Sequence, residues 1–208
     1  VDLRTYRLRV EGHVQKPLAL SLAELCQRFP TSRVVAVNQC SGNSRSRFAP
    51  RVAGSQWGNG AMGCAEWTGV KLKDVLHAAG LRPGAQVVQL EGLERGPGPA
   101  GKAAFGYQKS LALAGDMLNE AILAHSMNGE PLPLLNGFPL RVVVPGYFSS
   151  YWVKALASLR VLDRPDEGFW MKTAYQIPDT PRGSATPEQA VSGALHKVPI
   201  GRMPLRSF

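Results

Sequence analysis

Val34-Val35-Ala36-Val37-Asn38-Gln39-Cys40-Ser41-Gly42-Asn43-Ser44-Arg45-Ser46 is the stretch on which the reading of this chain turns. An apolar, β-branched run reads as a buried strand and ends abruptly in a cysteine. The residues after it are small, polar or cationic, the composition of a loop that surrounds an anion. Gly42 frees the backbone to turn so that amide N–H groups point inward, while Arg45 and Arg47 bring positive charge to the cysteine. Cys40 is therefore the first candidate for chemistry.

Three readings of Cys40 stand side by side at this point. In the plainest, it is a free cysteine behaving as a small apolar residue. In the second it is a nucleophile, because Cys40 and Arg45 resemble the Cys-then-Arg loops of phosphatases and sulfur transferases, where the loop feeds a helix that holds the anion. Phe48-Ala49-Pro50-Arg51-Val52-Ala53-Gly54 argues against that, since it has no amphipathic period and carries a proline. In the third, Cys40 is a soft ligand to a metal otherwise held by a cofactor.

Composition narrows the function classes. At 208 residues, with 44% hydrophobic and 19% charged, the chain has an ordinary globular balance and the length for one substantial core. Glycine (22) and proline (16) make up more than a sixth of it, which predicts strands and ordered loops in excess of helix. No run is long enough to span a bilayer, and no signal-peptide pattern is present. The start at Val1 suggests a processed or trimmed product. The net charge of +9 invites a nucleic-acid reading, but Lys and Arg number eight in each of residues 1–50, 51–150 and 151–208, with no dense run and no interleaved aromatics. A basic solvated surface that steers anions or an acidic partner is the better reading. Cys26, Cys40 and Cys64 are an odd number without CxxC spacing, which excludes a self-contained zinc site and a full disulfide framework.

Along the chain, Thr5 to Val10 alternates as a half-buried strand does, and Ser21-Leu22-Ala23-Glu24 is a capping box for a short helix that stops before Pro30. Trp57, among Gly54, Gly58 and Gly60, is a core plug or the wall of a pocket, and pattern alone favours the plug. Leu72, Val75, Leu76 and Ala79 share a helical face that Gly80 closes. Gln86 to Leu90 reads as a strand, Gly92 to Lys102 as a surface loop, and Leu113 to Leu118 as a short helix. Ala121 to Met127 is extended and Asn128-Gly129 a hairpin turn. His77 and His125 lie apart from each other and from Asp or Glu at ligand spacing, so both read as structural or surface residues.

A second informative stretch is Leu135-Asn136-Gly137-Phe138-Pro139-Leu140-Arg141-Val142-Val143-Val144-Pro145-Gly146. Arg141 enters a β-branched run where burial is expected, and a buried guanidinium without an anionic partner is expensive. A phosphate or pterin would be a sufficient partner, and so would a buried carboxylate. Lys154, in Trp152-Val153-Lys154-Ala155-Leu156, is a second cation among apolar residues. From Pro178 onward the pattern loosens into a linker-like sequence.

Taken together, Gln39 to Ser46, Trp57, Glu66-Trp67-Thr68-Gly69-Val70, Met127 to Pro133, Gly137 to Gly146 and Phe169 to Tyr175 resemble the molybdopterin-binding domain of the sulfite oxidase family. The resemblance covers nearly the whole chain in a consistent order. It implies an α+β fold of mixed β-sheets with short helices, a molybdenum–molybdopterin cofactor, and oxidation of sulfite to sulfate by oxygen-atom transfer. It favours the metal-ligand reading: Cys40 would be the single protein ligand of molybdenum. Arg45 matches the arginine that anchors the anionic substrate, Trp57 the pocket-lining tryptophan, and Tyr175 the tyrosine that hydrogen-bonds near the reactive oxygen. Arg141 and the run Trp152-Val153-Lys154 fall where the family holds the pterin and its phosphate. Asn136 stands where animal members have a histidine, and Glu94 lies in a loop equivalent to one that touches the pterin.

The resemblance also implies what would lie elsewhere. A segment before Val1 would contribute an Arg/His-bearing motif to the site. Residues 1–178 would form the catalytic domain, with 179–208 a linker toward a C-terminal immunoglobulin-like dimerisation domain. There is no haem-binding Cys-x-x-Cys-His, so electrons would leave to a separate c-type cytochrome, and bacterial relatives of this kind are periplasmic. The alternatives are a relative acting on another sulfur species, a sulfane or a sulfoxide, and a cofactor-free basic binding module.

Overall fold

The computed structural model of the chain describes residues 1–49, 51, 54–96, 105–115, 117–178 and 197–199. β1 (Leu8–Gly12) shows the expected alternation, with Leu8 and Val10 buried and Arg9 exposed, and β2 (Leu18–Leu20) returns antiparallel to it. Both arms of the capping box form: Ser21 Oγ accepts from the Glu24 N–H and the Glu24 carboxylate accepts from the Ser21 N–H. They start α1 (Leu22–Arg28), which ends before Pro30.

β3 (Thr31–Gln39) leads to Cys40 and corrects one expectation. It is an edge strand rather than a buried one: Val35 is 69% exposed and only Ala36 is fully buried. A single neighbour, β4 (Met62–Lys71), pairs with it, so its β-branched residues fit a pleated edge with one covered face. α2 (Leu72–Ala79) follows β4 directly, buries the predicted face, and is closed by Gly80 at φ 68°.

β5 (Val87–Gly96) begins as predicted but runs on past Gly92, because its antiparallel partner β6 (Phe105–Ala112) pairs with it as far as Gly96. The rest of the expected loop, 97–102, lies outside the described residues. α3 (Met117–Glu120) starts later than predicted, since the Leu113 N–H bonds the Gln86 carbonyl and prolongs the strand ladder. β7 (Ile122–Met127) and β8 (Glu130–Pro131) form the hairpin, with Asn128 at φ 53° and Gly129 at φ 84° in its turn. β9 (Arg141–Val143) also pairs with β7, and β10 (Leu156–Leu162) sits between β1, parallel to it, and β5, antiparallel. After α4 (Phe169–Lys172), β11 (Gln176–Pro178) pairs with β12 (Lys197–Pro199). Apart from those three residues, the expected linker over 179–208 lies outside the described residues.

One large sheet has the order β2-β1-β10-β5-β6, a second has β3-β4-β7-β8 with β9 on β7, and β11-β12 make a two-stranded ribbon. This is the α+β arrangement of mixed sheets and short helices that the family resemblance implies. A single apolar cluster joins Leu8, Val10 and Leu159 of the first sheet to Val70, Leu123 and Val142 of the second. Gly69 permits the close approach of β4 and β7, where any Cβ would collide with the Leu123 carbonyl.

Candidate functional site

A cavity of about 660 Å³ opens beside the Cys40 end of β3, the first half of β4 and the segment 136–154. Its first wall is built by the loop after β3. The Cys40 N–H bonds the Ala61 carbonyl at 2.9 Å, one more rung on the β3–β4 ladder, and then the chain turns. The Asn43 N–H returns to the Cys40 carbonyl at 3.0 Å, and the Gly42 N–H approaches Cys40 Sγ at 3.4 Å. A single 3₁₀ turn, Arg45–Arg47, follows, and among the described residues no α-helix lies between it and β4. Bonds from Ser44 N–H to the Gly58 carbonyl, from Ser46 N–H to the Trp57 carbonyl and from Ala61 N–H to Asn43 Oδ1 fasten the loop to residues 57–61. Backbone bonds, rather than apolar burial, hold Cys40 in place.

Gly42 is the point on which this wall converges. A Cβ there would lie 3.2 Å from the Trp57 ring, 3.4 Å from Arg45 Nε and 3.6 Å from Cys40 Sγ, so three of the predicted site residues surround one buried glycine. Arg45 and Trp57 stand beside Cys40 and outside the cavity lining itself. Trp57 is no core plug. It is 51% exposed, because the glycine-rich segment around it has no apolar layer to bury a ring against.

The second wall is core. Arg141 is 5% exposed and Trp152 2%. Arg141 donates to the carbonyls of Asn136 and Trp152 at 2.9 and 3.2 Å, and its guanidinium carbon lies 4.9 Å from the Trp67 ring centroid and 5.7 Å from that of Trp152. The two indoles meet edge to face at 5.7 Å, and the Trp152 N–H is shared between the carbonyls of Val144 and Tyr147. Among the described residues no carboxylate is within ion-pair distance of Arg141, and burial pushes its pKa down to about 10. Val153 is buried beside it, and Lys154, half-buried, reaches the Leu135 carbonyl at 3.3 Å and Glu94 at 3.4 Å.

The third side carries Tyr175 and two residues that the sequence reading missed. Tyr175 lines the cavity, 40% exposed, at φ 54°. Tyr107 lines it too; its hydroxyl bonds the Ser150 carbonyl at 2.7 Å and its ring meets Tyr175 at 6.3 Å. Behind them, Lys109 is completely buried, with Nζ 5.0 Å from the Tyr151 ring and 5.2 Å from the Tyr175 ring, and burial pushes its pKa down to about 8. The signal for Lys109 was present in the sequence: Tyr107, Lys109 and Leu111 share one face of a strand, and a lysine at an apolar phase is an anomaly.

The cavity thus gathers Cys40, Glu94, Asn136, Arg141, Trp152, Val153, Lys154 and Tyr175, with Arg45 and Trp57 at its edge. His77 is exposed, and His125, part-buried on β7, has its pKa lowered by burial. Among the described residues no group of three or more His, Cys, Asp or Glu is gathered to hold a metal, so a metal at Cys40 would take its other donors from a bound group. The cavity suits such a group. Arg141 Nε and Ser150 Oγ are buried without a hydrogen-bond partner among the described residues, and buried donors left open call for a ligand rich in acceptors.

Residues 1–170 match the family model described as the oxidoreductase molybdopterin binding domain. The chain belongs to this family. Within it, this molybdopterin-binding domain is 44% identical over 186 residues to the sulfite oxidase of Gallus gallus, covering 85% of the chain and 39% of that protein. It is 34% identical over 173 residues to a nitrate reductase [NAD(P)H] of Hordeum vulgare, covering 81% of the chain and 19% of that protein. Among solved structures it superposes on the sulfane dehydrogenase SoxCD of Paracoccus pantotrophus with a TM-score of 0.73 and 28% identity, over 89% of the chain and 45% of that one. The chain spans less than half the length of each of these relatives. The family implies a molybdenum cofactor, and the orphaned donors of the buried wall fit it.

Proposed function

We propose that this domain is the catalytic part of a molybdenum-dependent enzyme that oxidises sulfite to sulfate. One observation carries the reading: Cys40 lines the same cavity as a buried guanidinium with an open donor, and Arg45 stands beside Cys40 across Gly42. When bound, the molybdenum cofactor supplies the two-electron oxygen-atom chemistry. The chain supplies position and charge. Cys40 gives its sulfur to the metal, and Arg141, Asn136, Trp152, Val153, Lys154 and Glu94 hold the pterin and its phosphate. Arg45 binds the sulfite oxyanion with paired N–H groups, a charge-assisted contact worth about 1.5–3 kcal/mol. The Tyr175 hydroxyl donates beside the reacting oxygen, and Trp57 screens the entrance next to Gly42.

In this reading 1–178 form the catalytic domain, 179–208 an arm toward a further dimerisation domain, and the electrons leave to a separate c-type cytochrome in the periplasm. The net charge of +9 suits an anionic substrate and an acidic partner surface. A second reading, a sulfane substrate, draws on the SoxCD superposition; the 44% identity to a sulfite oxidase favours sulfite.

The test is sulfite-dependent reduction of cytochrome c by the molybdenum-loaded protein and by Arg45→Lys. Sulfite turnover in the wild type, with the variant's apparent KM raised about tenfold and its molybdenum retained, is the expected result. Turnover of a sulfane compound with sulfite ignored would favour the second reading, and an unchanged KM would remove Arg45 from the substrate site.

A further inference from the structure

Lys109 is an expensive residue for the place it occupies. It is completely buried, and among the described residues no carboxylate is within ion-pair distance; its compensations are the Trp170 carbonyl, to which Nζ donates at 2.5 Å, the faces of Tyr151 and Tyr175, and the more distant charge of Asp166. A methionine of the same length would fill the space without the desolvation cost. What the ammonium provides is a bond to the segment that carries Tyr175.

That segment is held in a conformation it would not choose. Tyr175 sits at φ 54°, in the left-handed region, three residues after the end of the short helix Phe169–Lys172. A bulky residue stays there only when its surroundings over-determine it. Strand β6 supplies the grip: the Gly106 carbonyl accepts from Trp170 Nε1 at 3.1 Å, Lys109 bonds the Trp170 carbonyl, and Ser110 meets Met171 Sδ and the Asp166 carboxylate. Of these three strand residues, Lys109 also lies against the Tyr175 ring itself.

We propose that Lys109 is a positioning residue for Tyr175, its ammonium pinning the 170–175 segment from below so that the phenol stands in the cavity wall. The kinetic part of this rests on the sulfite reading above, in which the Tyr175 hydroxyl takes part in turnover. The structural part does not, and it is read separately.

Amide hydrogen exchange on the metal-free chain compares the wild type with Lys109→Met. The expected result is exchange at least about fivefold faster over 170–176, with β1 and β10 unchanged. On the molybdenum-loaded protein, Lys109→Met should lower kcat/KM for sulfite about tenfold, and should lower it no further in a Tyr175→Phe background, because both changes remove the same contribution. A general loss of packing would add to Tyr175→Phe instead. Lys109→Gln is read in the same way should the methionine chain not fold. Unchanged exchange over 170–176, or a loss that persists in full in the Tyr175→Phe background, overturns the proposal. A wild type that ignores sulfite would sink the sulfite reading while leaving the exchange result to decide the role of Lys109.

Discussion

Cys40 and Trp152 face the same cavity from walls of opposite construction. Cys40 sits half-buried at the end of an edge strand, in a loop of glycine, serine and asparagine held by backbone hydrogen bonds to residues 57–61. Trp152 and Arg141 are core residues, stacked with Trp67 and bonded to carbonyls of their own segment. The first wall is local, so its side chains are free to serve chemistry without bearing on the fold. The second is the fold, and whatever it binds is bound by residues that also hold the sheets together.

The two walls should therefore respond unequally to truncation. Trp152→Ala removes a fully buried indole and the donor for the Val144 and Tyr147 carbonyls, and should cost about 3–5 kcal/mol. Cys40→Ser, nearly isosteric and part-exposed, should unfold within about 0.5 kcal/mol of the wild type. Urea unfolding of the metal-free chains measures both. A Trp152→Ala cost no larger than that of Cys40→Ser would abolish the distinction.

A smaller effect sharpens it, because the buried side also carries a cation at a cost. Burial lowers the Lys109 pKa from 10.5 to about 8, so between those values the unfolded chain binds more protons than the folded one and stability rises with pH. Below about pH 8 the penalty is present in full. The charged and titratable groups near it are Asp166, Tyr107, Tyr151 and Tyr175. Burial raises the Tyr151 pKa to about 12 and raises that of Tyr107 as well, which keeps both protonated across the window. Relative to Lys109→Met, the wild type should gain about 1 kcal/mol between pH 8 and 9. A gap that is flat with pH would mean that Lys109 is solvated in the folded chain.

What the sequence disclosed follows the same division. The capping box at Ser21, the α2 face, the Asn128-Gly129 turn and the break at Cys40 are local patterns, and local patterns survive into the structure. Val35 and Trp57 are exposed where the sequence suggests burial, because burial depends on which elements lie alongside, and among the described residues β3 has one neighbour where a run of β-branched residues suggests two. Arg141 was recognised as an anomaly, but its partners, two carbonyls and two indole faces, include Trp67 from a distant strand and could not be read from the residues around it. For Lys109 the sequence shows only a lysine at an apolar phase of a strand; what makes it a buried cation, the cover of residues 166–175, comes from a distant segment.

Whether the buried wall holds a molybdenum cofactor is decided by the molybdenum content of the purified chain. Wild type, Cys40→Ser and Arg141→Met are purified from a molybdenum-competent host and assayed by plasma mass spectrometry. Arg141→Met also removes the donor from the Asn136 and Trp152 carbonyls, so its molybdenum content is read on chain that urea unfolding shows to be folded, where a loss reports on binding. The expected content is about one molybdenum per wild-type chain, most of it kept in Cys40→Ser, with about a tenfold fall in Arg141→Met. Wild-type chain without molybdenum, or Arg141→Met loaded as fully as the wild type, would contradict it.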